Sequence, residues 1–471
     1  MSETEFDLLI IGAGSAGYNG AALARQLGMR VGLIDGAKEL GGLCILRGCM
    51  PSKALIAGAN RFHQAKHSGE FGISGGNVTI DLPALMARKD RHIREFADYR
   101  RGQIESGQFP FIHGNAAFVD AHTVEICDGA DAGRRIRASY FLLATGSELK
   151  PPPIPGLVQA GFQHSDTVLT NPRLPKSIIV LGAGAIGLEF AHYYNALGCK
   201  VTILQRGERL LKGSDFEIAD ALRRTLEKRG MAIHTGVTLR SAEGRLGEKA
   251  VVFTQGGESH RVEAEDIFYA LGRRPKYDTL HLENAGAVAR SVRPTQQSNL
   301  SHIFVAGDVA GPFEIVHLAI QQAELAVRNV ACLLQGKSEL EEMDYRSKLF
   351  VLFTHPDVGQ VGLTEEEARA ASLDILTASH PFDDHGKSLV MGEIDGLVKL
   401  VALRDSGEII GASVIGPEAS SLIHQIVAVM HFHGTAADLA KMPHYHPTLA
   451  EIWTYPAEEI AGRVHAASAV L

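Results

Sequence analysis

The chain of 471 residues is 45% apolar and 21% charged, with a formal net charge of −8 and a pI near 6.2. This is length for roughly three ordinary soluble domains, and the acidic balance argues against a general nucleic-acid or membrane-surface binder. The short acidic stretch 1–6 lacks the character of a signal peptide, no apolar run approaches the ~20 residues of a membrane span, and five cysteines without a signal point to a reducing cytoplasm.

Residues Phe6–Ile11 read as a short buried strand running into Gly12-Ala13-Gly14-Ser15-Ala16-Gly17, then a helix to about Leu27, then a second strand, Arg30–Ile34, ending at Asp35. Strand, G-x-G-x-x-G, helix, strand and acid make up the dinucleotide fingerprint in its full context. Gly12, Gly14 and Gly17 allow a tight turn and close approach of a pyrophosphate to the helix N-terminus, and Asp35 can accept from a ribose hydroxyl.

Next comes Gly41-Gly42-Leu43-Cys44-Ile45-Leu46-Arg47-Gly48-Cys49-Met50-Pro51-Ser52-Lys53. In a straight helix this cysteine spacing puts the Cα atoms roughly 8–9 Å apart, against the ~4.4–6.8 Å of a disulfide. A Cys44–Cys49 bond therefore needs a bent or looped backbone, which Gly48 permits. Pro51 suits the first turn of a following helix. That places Cys49 beside a helix N-terminus, whose partial positive charge favours a thiolate. Both features describe a reactive, reducible disulfide. Spacing alone leaves a zinc half-site and two unrelated buried thiols open, although Cys127, Cys199 and Cys332 stand singly and offer no second ligand pair.

Further along, Arg88–Arg101 reads as a solvated helix face. From Ile178–Leu181 the fingerprint repeats, with Gly182-Ala183-Gly184-Ala185-Ile186-Gly187, a helix to about Leu197 and the strand Lys200–Leu204. The repeat is strict, since 23 residues separate Gly12 from Asp35 and 23 separate Gly182 from Gln205. The second unit therefore has no acid at the ribose position, and Arg206 follows. Two dinucleotide units imply two different cofactors, and a redox cysteine pair beside the first suggests a flavin there. The polar, glycine-rich stretch Arg240–Arg261 predicts hairpins at the edge of the second unit, and Leu422–Val429 with His424 an interface or core helix.

The chain resembles the pyridine nucleotide–disulfide oxidoreductases over nearly its whole length. The resemblance rests on GGLCILRGCMPSK (41–53), LLATGS (142–147), GAGAIGLE (182–189), ALGRRP (270–275), FVAGD (304–308), LFTHPDVGQVGLTEEE (352–367) and HYHPTLAE (444–451). It implies an α/β fold of two Rossmann-like dinucleotide-binding domains, for FAD and then NAD(P), with a C-terminal α+β interface domain. Residues 1–150 and 275–345 would hold FAD, 151–274 the nicotinamide cofactor, and 346–471 the homodimer interface. The resemblance further implies that Asp308 holds the ribityl chain of FAD, and that Thr145–Gly146 and Gly272–Arg273 mark the crossings between domains. Lys53 and Glu189 match an ion pair near the flavin. Cys49 would be the charge-transfer thiolate beside the flavin and Cys44 the interchange thiol, while His446 and its partner Glu451 would serve the other subunit's site.

The chemistry of the residues agrees. Thiol–disulfide exchange needs a base near neutral pH, which an unperturbed imidazole supplies, and a carboxylate such as Glu451 can fix its tautomer as in a catalytic triad. Pro447 stiffens the loop between them. His431, His433, His444 and His446 also admit a metal cluster, which no carboxylate or cysteine pattern supports. Some residues depart from the family pattern. Leu43 and Leu46-Arg47 stand inside the redox loop where relatives have Thr and Asn-Val or Asn-Ile, and Gln321-Gln322 replace acids. Arg47 either lowers a thiol pKa, receives an anionic substrate or faces solvent.

The resulting expectation is a cytoplasmic homodimer most like dihydrolipoamide dehydrogenase. It would couple NAD(P)(H) to a small-molecule or lipoyl-protein dithiol through FAD and the Cys44–Cys49 pair, with no metal, nucleic-acid or membrane partner. Gln205 with Arg206, Arg209 and Lys212 leans the nucleotide towards NADP(H). Reduction of glutathione-type disulfides, quinones or metal ions is the alternative within this chemistry. Mercuric reduction is disfavoured by retention of His446 and an HAASAVL ending without a cysteine pair. A non-catalytic redox- or nucleotide-sensing flavoprotein is the alternative outside it.

Overall fold

The computed structural model describes residues 5–74, 76–288 and 292–468. Residues 1–4 of the acidic N-terminal stretch and 469–471 of the HAASAVL ending lie outside the described residues. Two compact units arise, one from Met1–Ser52, Met86–Pro151 and Gly272–Asp344, the other from Lys53–Leu85, Pro152–Leu271 and Tyr345–Leu471.

The first unit is built on a sheet ordered Phe111–His113, Val31–Asp35, Phe6–Ile11, Arg135–Leu143, Thr123–Ile126, Ala116–Asp120, with Ile303–Val305 also on Arg135–Leu143. Five of these seven strands are parallel, and Ala116–Asp120 with Thr123–Ile126 add an antiparallel meander. Phe6–Ile11 is a central strand with a core on each face, Leu9 and Ile11 in one and Leu8 and Ile10 in the other, which is why its run Leu8–Ile11 is continuously apolar. Helix Ser15–Gln26 covers one face closely. A Cβ on Gly20 would come 3.1 Å from the Leu142 side chain, 3.5 Å from that of Ile10 and 3.6 Å from that of Ala323 on helix Val316–Leu334, so the glycine leaves room for the Leu142 side chain beneath the helix. Helix Leu82–Ile104 corrects one expectation. It is not a purely solvated face, because Lys89 is 3% exposed and the Arg100 guanidinium lies 4.0 Å over the Tyr18 ring. Its helical period carries some cations inward with the apolar stripe.

The second unit repeats the pattern with a parallel sheet ordered Ala232–His234, Lys200–Leu204, Ser177–Leu181, Asp266–Tyr269. The glycine-rich stretch forms an antiparallel sheet of Thr238–Arg245, Glu248–Gln255 and Glu258–Ala264, as its turn residues predict. A five-stranded antiparallel sheet follows, ordered Leu349–Leu352, Asp357–Gly362, Ile409–Gly416, Leu397–Leu403, Ile375–Pro381. Helices Ala419–His431 and Thr454–Ser468 cover it around a core holding Trp453, Phe382 and Ile423. Lys399, 3% exposed, ties this sheet to helix Phe216–Lys228 by pairing with Asp215, Glu217 and Glu365 at 2.7–3.1 Å. Three acids on one dry ammonium hold its pKa above the ordinary lysine range despite burial.

Candidate active site

The redox loop of the first unit is shaped by glycines. Gly42 has φ +74°, and a Cβ there would stand 2.6 Å from the Cα of Gly14, so the loop lies backbone to backbone on the first fingerprint. A short helix, Gly42–Leu46, carries Cys44, and Cys49 opens the helix Cys49–Lys66 with Pro51 as its third residue. Ser52 Oγ donates 2.8 Å to the Gly48 carbonyl and ties down the turn. Gly48 matters for space and not for backbone freedom. It has no positive φ, but its Cβ would press to 3.2 Å from Cys44 Cα and 2.9 Å from the Leu43 carbonyl. Both cysteines are half-buried and Arg47 is exposed.

Beside this loop, Gly12 adopts φ +106°, where a Cβ would fall 2.3 Å from the Ala144 carbonyl, and a Cβ on Gly17 would fall 1.7 Å from the Gly12 carbonyl. Gly14 begins helix Ser15–Gln26 without a side-chain cap, which leaves its first N–H groups to a phosphate. Asp35 braces the turn from the next strand, accepting 2.6 Å from Ala13 N–H and 2.7 Å from Ala37 N–H.

Asp308, on the loop after Ile303–Val305, accepts 2.7 Å from Ser147 Oγ, which accepts 2.8 Å from Arg273 Nε. Thr145 Oγ1 donates to the Lys276 carbonyl, and Gly146 and Gly272 both have positive φ, flanking the paired strands Ser147–Leu149 and Arg273–Pro275. Gln322 accepts 2.8 Å from Gly307 N–H, so an amide fits where the family pattern has an acid. Burial, and then Asp308, raise the pKa of Glu314 against the pull of Arg273. Ser147 and Glu314 were not singled out from sequence. Ser147 ends the LLATGS stretch (142–147), but its partner lies 161 residues away.

In the second unit the fingerprint geometry recurs. Gly182 has φ +97°, a Cβ on Gly187 would lie 2.1 Å from the Gly182 carbonyl, and Gly184 begins helix Ala185–Ala196 without a side-chain cap. Gln205 takes the place of Asp35 in bracing the turn, accepting 3.1 Å from Ala183 N–H, but its second bond differs, the amide donating 3.2 Å to the Arg209 carbonyl. Arg209, expected among the phosphate-binding cations, is paired with Glu366 at 2.9 Å, whereas Arg206 and Lys212 are exposed and make no ion pair among the described residues. Lys53 Nζ meets both oxygens of Glu189 at 2.8 and 2.7 Å, 4.9 Å over the Phe353 ring, and Phe353 N–H donates 3.2 Å to the same carboxylate. Glu189 is 5% exposed.

His446 projects outward with its side chain 79% exposed, and its Nδ1 lies 3.1 Å from both oxygens of Glu451, which is 12% exposed. Nδ1–H donation to the carboxylate leaves Nε2 as the outward acceptor. The other histidines of that region are engaged separately, His433 with Glu408 at 2.7 Å and His444 with Gln425 at 2.7 Å, while His431 ends a helix. Among the described residues no group of three or more His, Cys, Asp or Glu is placed to hold a metal ion, and no helix is long and apolar enough to cross a membrane.

A model of the pyridine nucleotide-disulphide oxidoreductases matches residues 6–323, and the model of their dimerisation domain matches 350–457. The chain belongs to this family. It is 33% identical to dihydrolipoyl dehydrogenase of Geobacillus stearothermophilus, with 97% of each chain covered. It is 32% identical to mercuric reductase of Lysinibacillus sphaericus, covering 96% of this chain and 82% of that one. The HOCl-induced flavoprotein disulfide reductase RclA of Escherichia coli superposes with TM-score 0.82 at 25% identity, over 96% and 99% of the two chains. As a pyridine nucleotide–disulfide oxidoreductase, the protein is a flavoenzyme of the dihydrolipoyl dehydrogenase type, whose cofactors are FAD and a pyridine nucleotide. Both fingerprints fit such groups, because each presents an uncapped helix start over glycines that a side chain would obstruct.

Proposed function

We propose that the protein is a homodimeric dithiol/disulfide oxidoreductase acting on a lipoyl-type or other small disulfide, with its active sites shared between subunits. The observation that carries this reading is the exposed His446, oriented by Glu451 within the segment that matches the dimerisation domain. In the reducing direction the Cys44 thiolate attacks one sulfur of the substrate disulfide, and the leaving thiolate takes a proton from His446 of the other subunit. Cys49 then attacks Cys44 and releases the second thiol, leaving the Cys44–Cys49 disulfide. Bound FAD supplies the two-electron link between the nicotinamide and this pair. Gly12, Gly14, Gly17, Asp35, Lys53, Thr145, Gly146 and Asp308 hold the flavin nucleotide. Glu189 pairs with Lys53 beside the flavin, and Gly182, Gly184, Gly187, Gln205, Arg206 and Gly272 serve the nicotinamide side.

The same reading divides the chain into a FAD domain (1–150 and 275–345), a nicotinamide domain (151–274) and an interface domain (346–471), in a cytoplasmic enzyme. Neutral Gln205 and the uncommitted Arg206 and Lys212 support a lean towards NADP(H). The deciding experiment is a panel on purified holoenzyme with both nicotinamides, reporting kcat/KM for lipoamide, glutathione disulfide, a quinone and Hg(II). Lipoamide should rank first. Turnover confined to quinone or metal ion, or no turnover at all, would overturn the dithiol assignment.

A further inference from the structure

Glu451 is held from two sides. His446 meets it from the exposed side, and on the buried side its Oε1 lies 3.5 Å from Nε2 of His385, a residue with 0% exposure. His385 precedes the short helix Gly386–Met391, and its Nδ1 lies 2.9 Å from Oγ of Ser388, itself fully buried. The rings of Phe382 and Tyr455 stand at right angles to it with centroids 6.3 Å away, and His380 and His446 are the other titratable groups that act on it. Nε2 is buried and completes no hydrogen bond among the described residues, and the Glu451 carboxylate at 3.5 Å is the acceptor within its reach.

The proton on this ring has one favourable place. A bare Nε2 lone pair facing an anionic oxygen in a dry site is repelled, whereas an Nε2–H is attracted. The Ser388 hydroxyl can donate to Nδ1, so the Nε2–H tautomer satisfies serine, imidazole and carboxylate together. Burial keeps His385 below the ordinary imidazole range against the opposing pull of Glu451, so the ring stays neutral.

We propose that His385 is a positioning residue of the exchange reaction. Its Nε2–H fixes the buried side of Glu451, so that the carboxylate is presented to His446 Nδ1 and His446 Nε2 is kept as the base. This rests on the reading of His446 and Glu451 as the acid–base pair. A neutral donor also takes up part of the carboxylate charge, and once it is removed that charge falls on His446 and its proton is held more tightly.

The test uses flavin-loaded His385→Leu, His385→Gln, Ser388→Ala, Glu451→Gln and His446→Gln enzymes, with kcat/KM measured against pH for oxidation of dihydrolipoamide, the direction in which His446 takes the proton. His385→Leu should lose about tenfold and move the acidic limb of the profile upward by about half a pH unit to one unit. His385→Gln, which keeps an N–H donor, should recover most of both effects. In the Glu451→Gln background, His385→Leu should leave the limb where it is. An unmoved limb in His385→Leu, or an undiminished effect without Glu451, overturns the proposal. If His385→Leu does not fold, Ser388→Ala must move the limb the same way, and failure to do so overturns the proposal equally. Full activity in His446→Gln would overturn the acid–base reading itself, and the proposal with it. An unmoved limb alongside an inactive His446→Gln overturns the proposal alone.

Discussion

Replacing Gly42 with alanine tests whether the redox loop is positioned by backbone contact with the fingerprint. The new Cβ would lie 2.6 Å from Gly14 Cα, about 0.8 Å short of the 3.4 Å at which ordinary contact begins, and neither backbone has a flexible end to yield. Residue 42 would also carry a side chain at φ +74°, costing about 1–2 kcal/mol, with a further ~1–3 kcal/mol of overpacking. Gly107 provides the matched control in the same unit, since it has φ +77° with nothing within 4 Å of its Cβ. Gly107→Ala should therefore show the conformational cost alone. Gly42→Ala must displace the loop by close to 1 Å, which in a positioned thiol site is worth on the order of 100-fold in rate. Stopped-flow measurement of disulfide reduction, with flavin content determined on each variant, should find Gly42→Ala slower by about 10–100-fold and poorer in FAD. If the two variants agree within about twofold in both readouts, the contact does not position the loop.

Four further outcomes are expected. Glu189→Gln removes the partner of Lys53 at a site where the carboxylate is buried and the ammonium 31% exposed. A thermal midpoint lowered by the loss of about 1.5–3 kcal/mol is expected, and an unchanged midpoint would show the pair to be idle. Gln205→Glu with Arg206→Met should shift the NADPH-to-NADH ratio of kcat/KM towards NADH by about tenfold or more, whereas an unmoved ratio would remove both residues from nucleotide choice. Hybrid dimers of Cys44→Ser with His446→Ala subunits should regain one good site of two, and verified hybrids without activity would argue against sharing.

The last outcome concerns acid. Burial, and then Arg229, push His63 down to about 3, and the same causes push His355 to about 4, so both are neutral in the fold and charge near 6.5 when unfolded. Below 6.5 the unfolded chain binds more protons, and stability should fall by up to about 1.4 kcal/mol per group per pH unit towards 4. Burial raises Asp357 to about 6, so it acts oppositely, its contribution being present in acid and lost as pH rises through 6. His63→Asn with His355→Gln should flatten the denaturation midpoint between pH 6.5 and 4, and an unchanged slope would refute this.

What could be read from sequence was what the backbone itself demands. Both fingerprints, their strands and the helices after them follow from the first and third glycines, Gly12, Gly17, Gly182 and Gly187, which no side chain could replace, and the cysteine loop is bounded by glycines and Pro51 for similar reasons. The reasons were sometimes harder to read than the elements. Gly48 serves close approach to Cys44, which only the folded loop reveals. Contacts between distant segments stayed hidden, as with Ser147 and Asp308, Arg209 and Glu366, or His385 and Glu451. Arg100 looked like solvated charge because nothing local in RKDRHIREFADYRR announces Tyr18.

The brace that Asp35 and Gln205 each place on their own glycine turn has a consequence for how this enzyme could be redesigned or could drift. Both residues accept from the N–H that follows the first fingerprint glycine, at Ala13 and Ala183. Any occupant must therefore offer an acceptor of that reach before it can discriminate between nucleotides. Position 205 is then open to Glu, Gln, Asp or Asn and largely closed to Ala, Val or Lys, whatever cofactor is favoured. Charge preference is left to be set by neighbours outside the brace, such as Arg206 and Lys212, which can change sign without loosening the turn. A library varied at 206 and 212 should traverse cofactor preference with few unfolded members, and one varied at 205 should lose most of its members to a slack phosphate loop.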